Sequence, residues 1–253
     1  MRGIALCLGM LLAWPLATQA AKPAEPTSID FGAGAWVDVD ATGKAHVVEI
    51  DQLSEFKDDG KPGSLADIIK QRLRERIEMW EFVPPASNGA AVNGRTHVHV
   101  SLEASTADGG GMAIRVLGAA TGAKLVKRQM GELIKAMMDY GYVGRVNIDV
   151  AWKDDGSVES ADSVASSVGG KVTSRSVSPK FLKTVLKAVQ DWRFDPEIVE
   201  GTPIPGKGRV PINFCLSGEC PAEEKTSSNT AESLFTAIDP AIGLRTAVAG
   251  TML

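Results

Sequence analysis

One pattern is written twice in this chain. From Trp80 the sequence runs Trp-Glu-Phe82-Val-Pro84, then Gly89, Val98 and Val100; from Trp192 it runs Trp-Arg-Phe194-Asp-Pro196, then Gly201, Val210 and Ile212, each residue 112 positions after its counterpart. Upstream, the turn glycines Gly43 and Gly156 precede their tryptophans by 37 and 36 residues, and each follows alternating strand-like residues (Val37, Val39; Val150, Trp152). Agreement at so many offsets implies two copies of one supersecondary unit. The expected fold class is α+β: two tandem units, each a small antiparallel sheet with one long amphipathic helix packed on it.

Unit 1 is expected over residues 31–103. Ala35, Val37 and Val39 alternate with Asp38 and Asp40 as in a half-buried strand, Ala41-Thr-Gly43-Lys44 is a turn, and Ala45 to Ile50 returns. Ser64 is suited to cap a helix whose apolar residues Leu65, Ile68, Ile69, Leu73, Ile77 and Trp80 recur every three or four positions. Met112 to Leu117 reads as one more short strand, without an assignable partner. Unit 2 is expected over residues 128–220: a helix near Gly131 to Asp139, a strand from Arg145 to Trp152, and the turn Asp154-Asp155-Gly156. Ser178-Pro179 then opens a helix striped by Phe181, Leu182, Val185, Leu186, Val189 and Trp192, and a last strand runs from Lys207 to Leu216. Trp80, Phe82, Trp192 and Phe194 are expected as core anchors of the two units. Residues 221–253 read as a polar tail in which the last twenty residues form a short helix that docks.

Residues 1–20 carry Arg2, an apolar run from Ile4 to Leu16 and small residues at Thr18 and Ala20, the layout of a cleavable secretory leader. A retained membrane anchor is the alternative, but the run is broken at Pro15 and falls short of the ~20 residues a bilayer span needs. The formal charge of −4 includes no basic block, which disfavours nucleic acid as a partner. Outside the leader the cysteines are Cys215 and Cys220; in an exported chain this pair, bracketing Ser217-Gly218, reads as a disulfide across a tight turn.

Val146-Asn-Ile-Asp-Val150, the Asp155-Gly156 turn, the helix end Trp192-Arg-Phe194-Asp-Pro196, Gly201 and the closing Val210-Pro-Ile-Asn-Phe214 together resemble the C-terminal domain of TonB, the periplasmic energy transducer of Gram-negative bacteria. The resemblance covers Gly131 to Leu216 well and Ala35 to Val100 as a weaker copy. It implies a sheet edge that accepts an extended peptide as an added strand, the TonB box of an outer-membrane receptor, so the implied partner is such a receptor or another envelope protein. Transducers of this family also keep an N-terminal anchor and a long Pro-rich spacer. The expected protein is therefore a periplasmic TonB-like binder, with an anchored energy transducer as the alternative.

Proline lacks an N–H, so Pro211 belongs where that group faces outward from a strand edge, and it blunts that edge. The matching residue of unit 1 is His99. Its row Thr96-His97-Val98-His99-Val100 therefore reads as the cleaner candidate edge for a partner strand, beside Arg209, Val210, Ile212 and Asn213 of unit 2. Coverage of either edge by the other unit or by a second copy of the chain is the competing expectation. His97 and His99 share a strand face, a geometry metals use. Val98 and Val100 align with core positions, however, so both imidazoles are expected in solvent and no metal or cofactor is assigned. Asp38 and Asp40 read as a solvated strand face, and Asp154 and Asp155 as turn residues. Gly-x-Ser-x-Gly does not occur, and Gly109-Gly110-Gly111 precedes a strand rather than a helix, so no catalytic residue is assigned.

Overall fold

The computed structural model describes residues 28–54, 56, 61–106, 111–128, 131, 135, 144–168, 179–214 and 235–253. The leader, Ser178, Cys215, Cys220 and residues 221–234 lie outside these, and of the expected helix Gly131 to Asp139 only Gly131 and Lys135 are described, both helical. Among the described residues no helix is long and apolar enough to cross a membrane.

The first half contains β1 (Ser28–Val39), β2 (Ala45–Ile50), α1 (Leu65–Glu78), the short strands β3 (Phe82–Val83), β4 (Ala86–Ser87) and β5 (Ala90–Ala91), and β6 (Gly94–Thr106). Asp40 shapes the β1–β2 turn: its carboxylate accepts from the Thr42 and Lys44 backbone N–H groups and from the Thr42 hydroxyl. The side chain of Ser64 accepts the Asp67 N–H at 3.2 Å and so satisfies one of the free amides of the first helical turn. Ala66, Ile69, Leu73 and Ile77 are buried, and Trp80 closes the stripe just past the helix end. Leu65 and Ile68, assigned to the stripe from sequence, are each 45% exposed. The seam follows the four-residue spacing from Ile69, and Ile68 lies about 100° round the helix from it; Leu65 is in the first turn.

The second half contains β9 (Gly144–Trp152), β10 (Val158–Val168), α2 (Pro179–Gln190), β11 (Arg193–Asp195), β12 (Ile198–Val199), β13 (Thr202–Pro203) and β14 (Gly206–Phe214). Matching positions make matching contacts. Val39 pairs with Gly94 and Ala33 with Val100; 112 or 113 residues later, Trp152 pairs with Gly206 and Val146 with Ile212. Gly43 and Gly156 both have positive φ, and their carbonyls accept from Phe82 and Phe194 N–H respectively. A Cβ on either glycine would fall against the backbone oxygen of that same phenylalanine. The hairpins β4–β5 and β12–β13 share a register, and both turn through a residue and a glycine at positive φ, Asn88-Gly89 and Glu200-Gly201. Each half has its own buried cluster, one holding Trp80 and Phe82 and the other Trp192 and Phe194.

Three connections depart from two separate sheets. The segment after β6 is an eleven-residue strand, β7 (Met112–Gly122), longer than Met112 to Leu117, and its partner is β6 itself over Thr106 to His97. The β12–β13 hairpin of the second half extends the first-half sheet, with Ile198 opposite Arg95 and Val199 opposite Gly94. A following strand, β8 (Lys124–Lys127), pairs with β11.

The expected C-terminal helix is absent from the described residues 235–253. Two short strands take its place: β15 (Thr236–Ile238) pairs with β14, and β16 (Gly243–Leu244) with β3. Beyond them, Gly250, Thr251 and Leu253 exchange backbone hydrogen bonds with Ile114 and Val116 of β7, and Ile242 and Val248 enter the first core. Pro240 and Gly243 weaken helix formation here, and burial of alternate apolar residues against existing strands wins. Leu244 opposite Phe82 matches Leu125 opposite Phe194, so the strand that precedes unit 2 in sequence has its counterpart on unit 1 at the far end of the chain.

Candidate functional site: the edge of β14 and the seam beside it

Thr96 to Val100 is not an edge. β6 lies between β1 and β7, with His97 opposite both Trp36 and Gly122 and Val100 opposite both Ala33 and Ala119. The cleaner open row expected at unit 1 is thus occupied by the chain's own β7.

The accessible row is on β14. β9 pairs with one side of β14 along its whole length, from Gly206 to Phe214, while β15 covers the other side only at Lys207, Gly208 and Arg209. Beyond Arg209 that side has no strand partner among the described residues. Val210 and Ile212 are buried in the second core. By the strand's two-residue period, Lys207, Arg209, Pro211 and Asn213 therefore point their backbone groups away from β9. Pro211 sits in that row without an N–H to offer, as expected from its chemistry, and pairing with β15 stops two residues before it. On the solvated face, Arg209 forms a two-point ion pair with Asp149 of β9 at 2.7 and 2.9 Å.

His97 and His99 do not face solvent. His97 is 2% exposed and His99 is partly enclosed, because the sheet face opposite α1 is covered by Trp36, by Ala123 and by Phe235. The Asp51 carboxylate accepts from His97 Nε2 at 2.9 Å and from Lys124 Nζ at 2.5 Å. His99 Nε2 lies 3.0 Å from the Ala123 carbonyl and 3.2 Å from His97 Nδ1. A carbonyl only accepts, so His99 carries its proton on Nε2. The carboxylate likewise places the His97 proton on Nε2, which leaves Nδ1 of His97 as an acceptor. Burial pushes the Asp51 carboxyl up, but the hydrogen bonds from His97 and Lys124 outweigh it and hold the group at about 2. Burial pushes His99 down to about 3. Among the described residues no group of three or more His, Cys, Asp or Glu side chains is placed to hold a metal ion.

A second buried polar joint lies nearby. Glu197, between β11 and β12, is buried; it accepts the Thr96 hydroxyl at 2.7 Å and the Ala241 N–H at 2.9 Å. The first half, the second half and the C-terminal segment meet on this one carboxylate. Burial raises its pKa, opposed by those hydrogen bonds.

Phe235 completes the seam. Its ring lies 5.1 Å from His99, 5.9 Å from Trp152 and 6.0 Å from Phe194, so it touches both halves. Sequence reasoning missed Asp51, Lys124, Glu197, Gly208 and Phe235. The one available signal was departure from the repeat, since Glu197 and Gly208 match Pro85 and Thr96. Asp38 is paired with Arg95, at 2.6 Å, rather than simply solvated, and Asp154 and Asp155 are in the β9–β10 turn as expected.

No curated protein and no solved structure gives a significant match to this chain. Residues 135–216, which span the second half through β14, match the family described as Gram-negative bacterial TonB protein C-terminal, and it is this part of the chain that is similar to TonB.

Proposed function

We propose that this is an exported, TonB-like envelope protein made of two copies of the TonB C-terminal unit, which works by strand-addition contact with another protein and not by catalysis. The family match to residues 135–216 supports the TonB-like part of this reading. Shared registers at positions 112 or 113 residues apart support the duplication. The observation that carries the contact mechanism is the partly covered β14 row: backbone groups of Asn213, and the carbonyl of Pro211, are presented on the side away from β9, next to a short strand that already demonstrates the pairing mode. In such contacts main-chain hydrogen bonds supply affinity and side-chain pockets supply selectivity. The partner proposed is an extended segment of an outer-membrane receptor or of another envelope protein.

A photoreactive amino acid placed at Asn213 in intact Gram-negative cells tests this. An adduct with an envelope protein is expected from Asn213, and none from Met79, which is 65% exposed at the end of α1. Equal adducts from both positions, or none from Asn213, would reject strand addition at β14. An anchored transducer, in which the apolar run Ile4 to Leu16 is retained, is the second reading. N-terminal sequencing separates the two: a start at Ala21 supports the exported form, and Met1 the anchored one.

A further inference from the structure

Gly208 is a glycine for a reason that its backbone does not supply. It is an interior strand residue without positive φ, where glycine weakens the sheet relative to a residue with a side chain. What requires it is the ring of Phe235: a Cβ at position 208 would lie 2.5 Å from Phe235 Cζ and 3.2 Å from Trp152 Cζ3. The matching residue of unit 1, Thr96, keeps its side chain and spends it on Glu197. A second glycine, Gly122 at the end of β7, faces the same segment; a Cβ there would lie 3.2 Å from Phe235 Cε1 and 2.6 Å from Ala237 Cβ. Between them the two glycines leave a slot for one aromatic ring, walled by Trp152, Phe194 and His99, and beside it a notch that fits a methyl group. The backbone over the slot is already held as a strand, with Ala237 opposite Gly208 and Thr236 opposite Arg209.

The geometry points to a peptide-recognition site at β14 that reads an aromatic residue followed two positions later by a small one, in an extended segment, and that the chain's own Phe235-Thr-Ala237 fills in cis. This inference rests on the strand-addition reading and adds to it the chemistry of the partner: a Phe-x-Ala type segment that competes with the C-terminal segment for one slot. The β-ladder is indifferent to side chains, so the ring and the methyl group carry the selectivity. A segment with a charged or branched residue in the methyl position would meet Gly122 and be refused.

The test uses the full chain and fluorescent peptides with the sequence of residues 232–240, one unchanged and one with alanine in place of the phenylalanine. Phe235→Ala empties the slot in cis; Phe235→Leu is a companion that keeps most of the apolar volume should the first variant fold poorly. Phe235→Ala is expected to bind the unchanged peptide about tenfold more tightly than the natural chain does, because the internal ring is gone, and Phe235→Leu, whose smaller side chain competes less well than the ring, by a smaller factor; each is expected to prefer the unchanged peptide over the alanine peptide, about tenfold for Phe235→Ala, a discrimination one buried ring supplies. Adding Gly208→Val to Phe235→Ala is expected to erase the preference. Equal binding of both peptides overturns the aromatic slot while leaving strand addition standing; binding of neither peptide by any variant overturns both.

Discussion

Four turn glycines offer a graded test of the packing at the two turns. Gly43, Gly156, Gly89 and Gly201 have φ values of 85°, 75°, 80° and 81°. An alanine at any of them enters the left-handed region, at a cost of about 1–2 kcal/mol. Reduced freedom of the unfolded chain offsets about 0.4–1 kcal/mol of that. For Gly89 and Gly201 nothing lies within 4 Å of the added Cβ, so Gly89→Ala and Gly201→Ala should cost only the balance, about 1 kcal/mol. For Gly43 and Gly156 the added Cβ meets the carbonyl oxygen of Phe82 or Phe194, a backbone atom that no rotamer change can move. Overpacking of this kind adds about 1–3 kcal/mol, so Gly43→Ala and Gly156→Ala should cost about 2–4 kcal/mol in all. Urea unfolding followed by tryptophan fluorescence reads these values. With a slope of about 2 kcal/mol/M, the midpoint should fall by about 1–2 M for Gly43→Ala and Gly156→Ala and by about 0.5 M for Gly89→Ala and Gly201→Ala. If Gly156→Ala were no worse than Gly201→Ala, the Phe194 carbonyl would not be seated against the turn. If Gly43→Ala and Gly156→Ala diverged widely, the two turns would not be equivalent.

Asp51 has a folded-state pKa below its unfolded value, so its contribution is present above about pH 4 and is lost as pH falls through about 2. Acid unfolding of Asp51→Asn, monitored by fluorescence, should lack that component. Phe235→Ala should destabilise the protein by about 3 kcal/mol in the same urea assay, since it removes a buried ring from between the two halves. Val83→Cys with Gly243→Cys, in a chain carrying Cys215→Ser and Cys220→Ser, should oxidise to an intramolecular disulfide, because a Cβ on Gly243 would lie 3.6 Å from that of Val83. A failure to oxidise on a non-reducing gel would place the C-terminal segment elsewhere. Pro211→Thr returns an N–H to the outward row of β14 and should raise self-association, measured by sedimentation; unchanged behaviour would show that this row is not exposed to partners.

What the sequence disclosed was local or repeated. The Trp-x-Phe helix ends, the Asp-Gly turn, the Ser64 cap and the striped helices each depend on residues within one or two turns of chain, and the offset of 112 let each half be read against the other. The errors have a common physical origin in long-range coverage. His97 and His99 alternate with core valines and so read as exposed, but Ala123 and Phe235, distant in sequence, cover that face. Thr96 to Val100 read as an edge because nothing in Met112 to Gly122, with its three alanines and two glycines, announces a long strand. The C-terminal residues carry apolar spacing compatible with a helix, and their pairing with β14 and β3 is decided by partners they meet only in the folded chain.

Amide hydrogen exchange across β14, with and without an excess of an extended receptor peptide, is the most direct test of strand addition at this edge. Slower exchange at Asn213 on peptide addition, with the β6 amides unchanged because β1 and β7 already pair with them, is the predicted result. Protection confined to β10, or no change anywhere in β14, would contradict it.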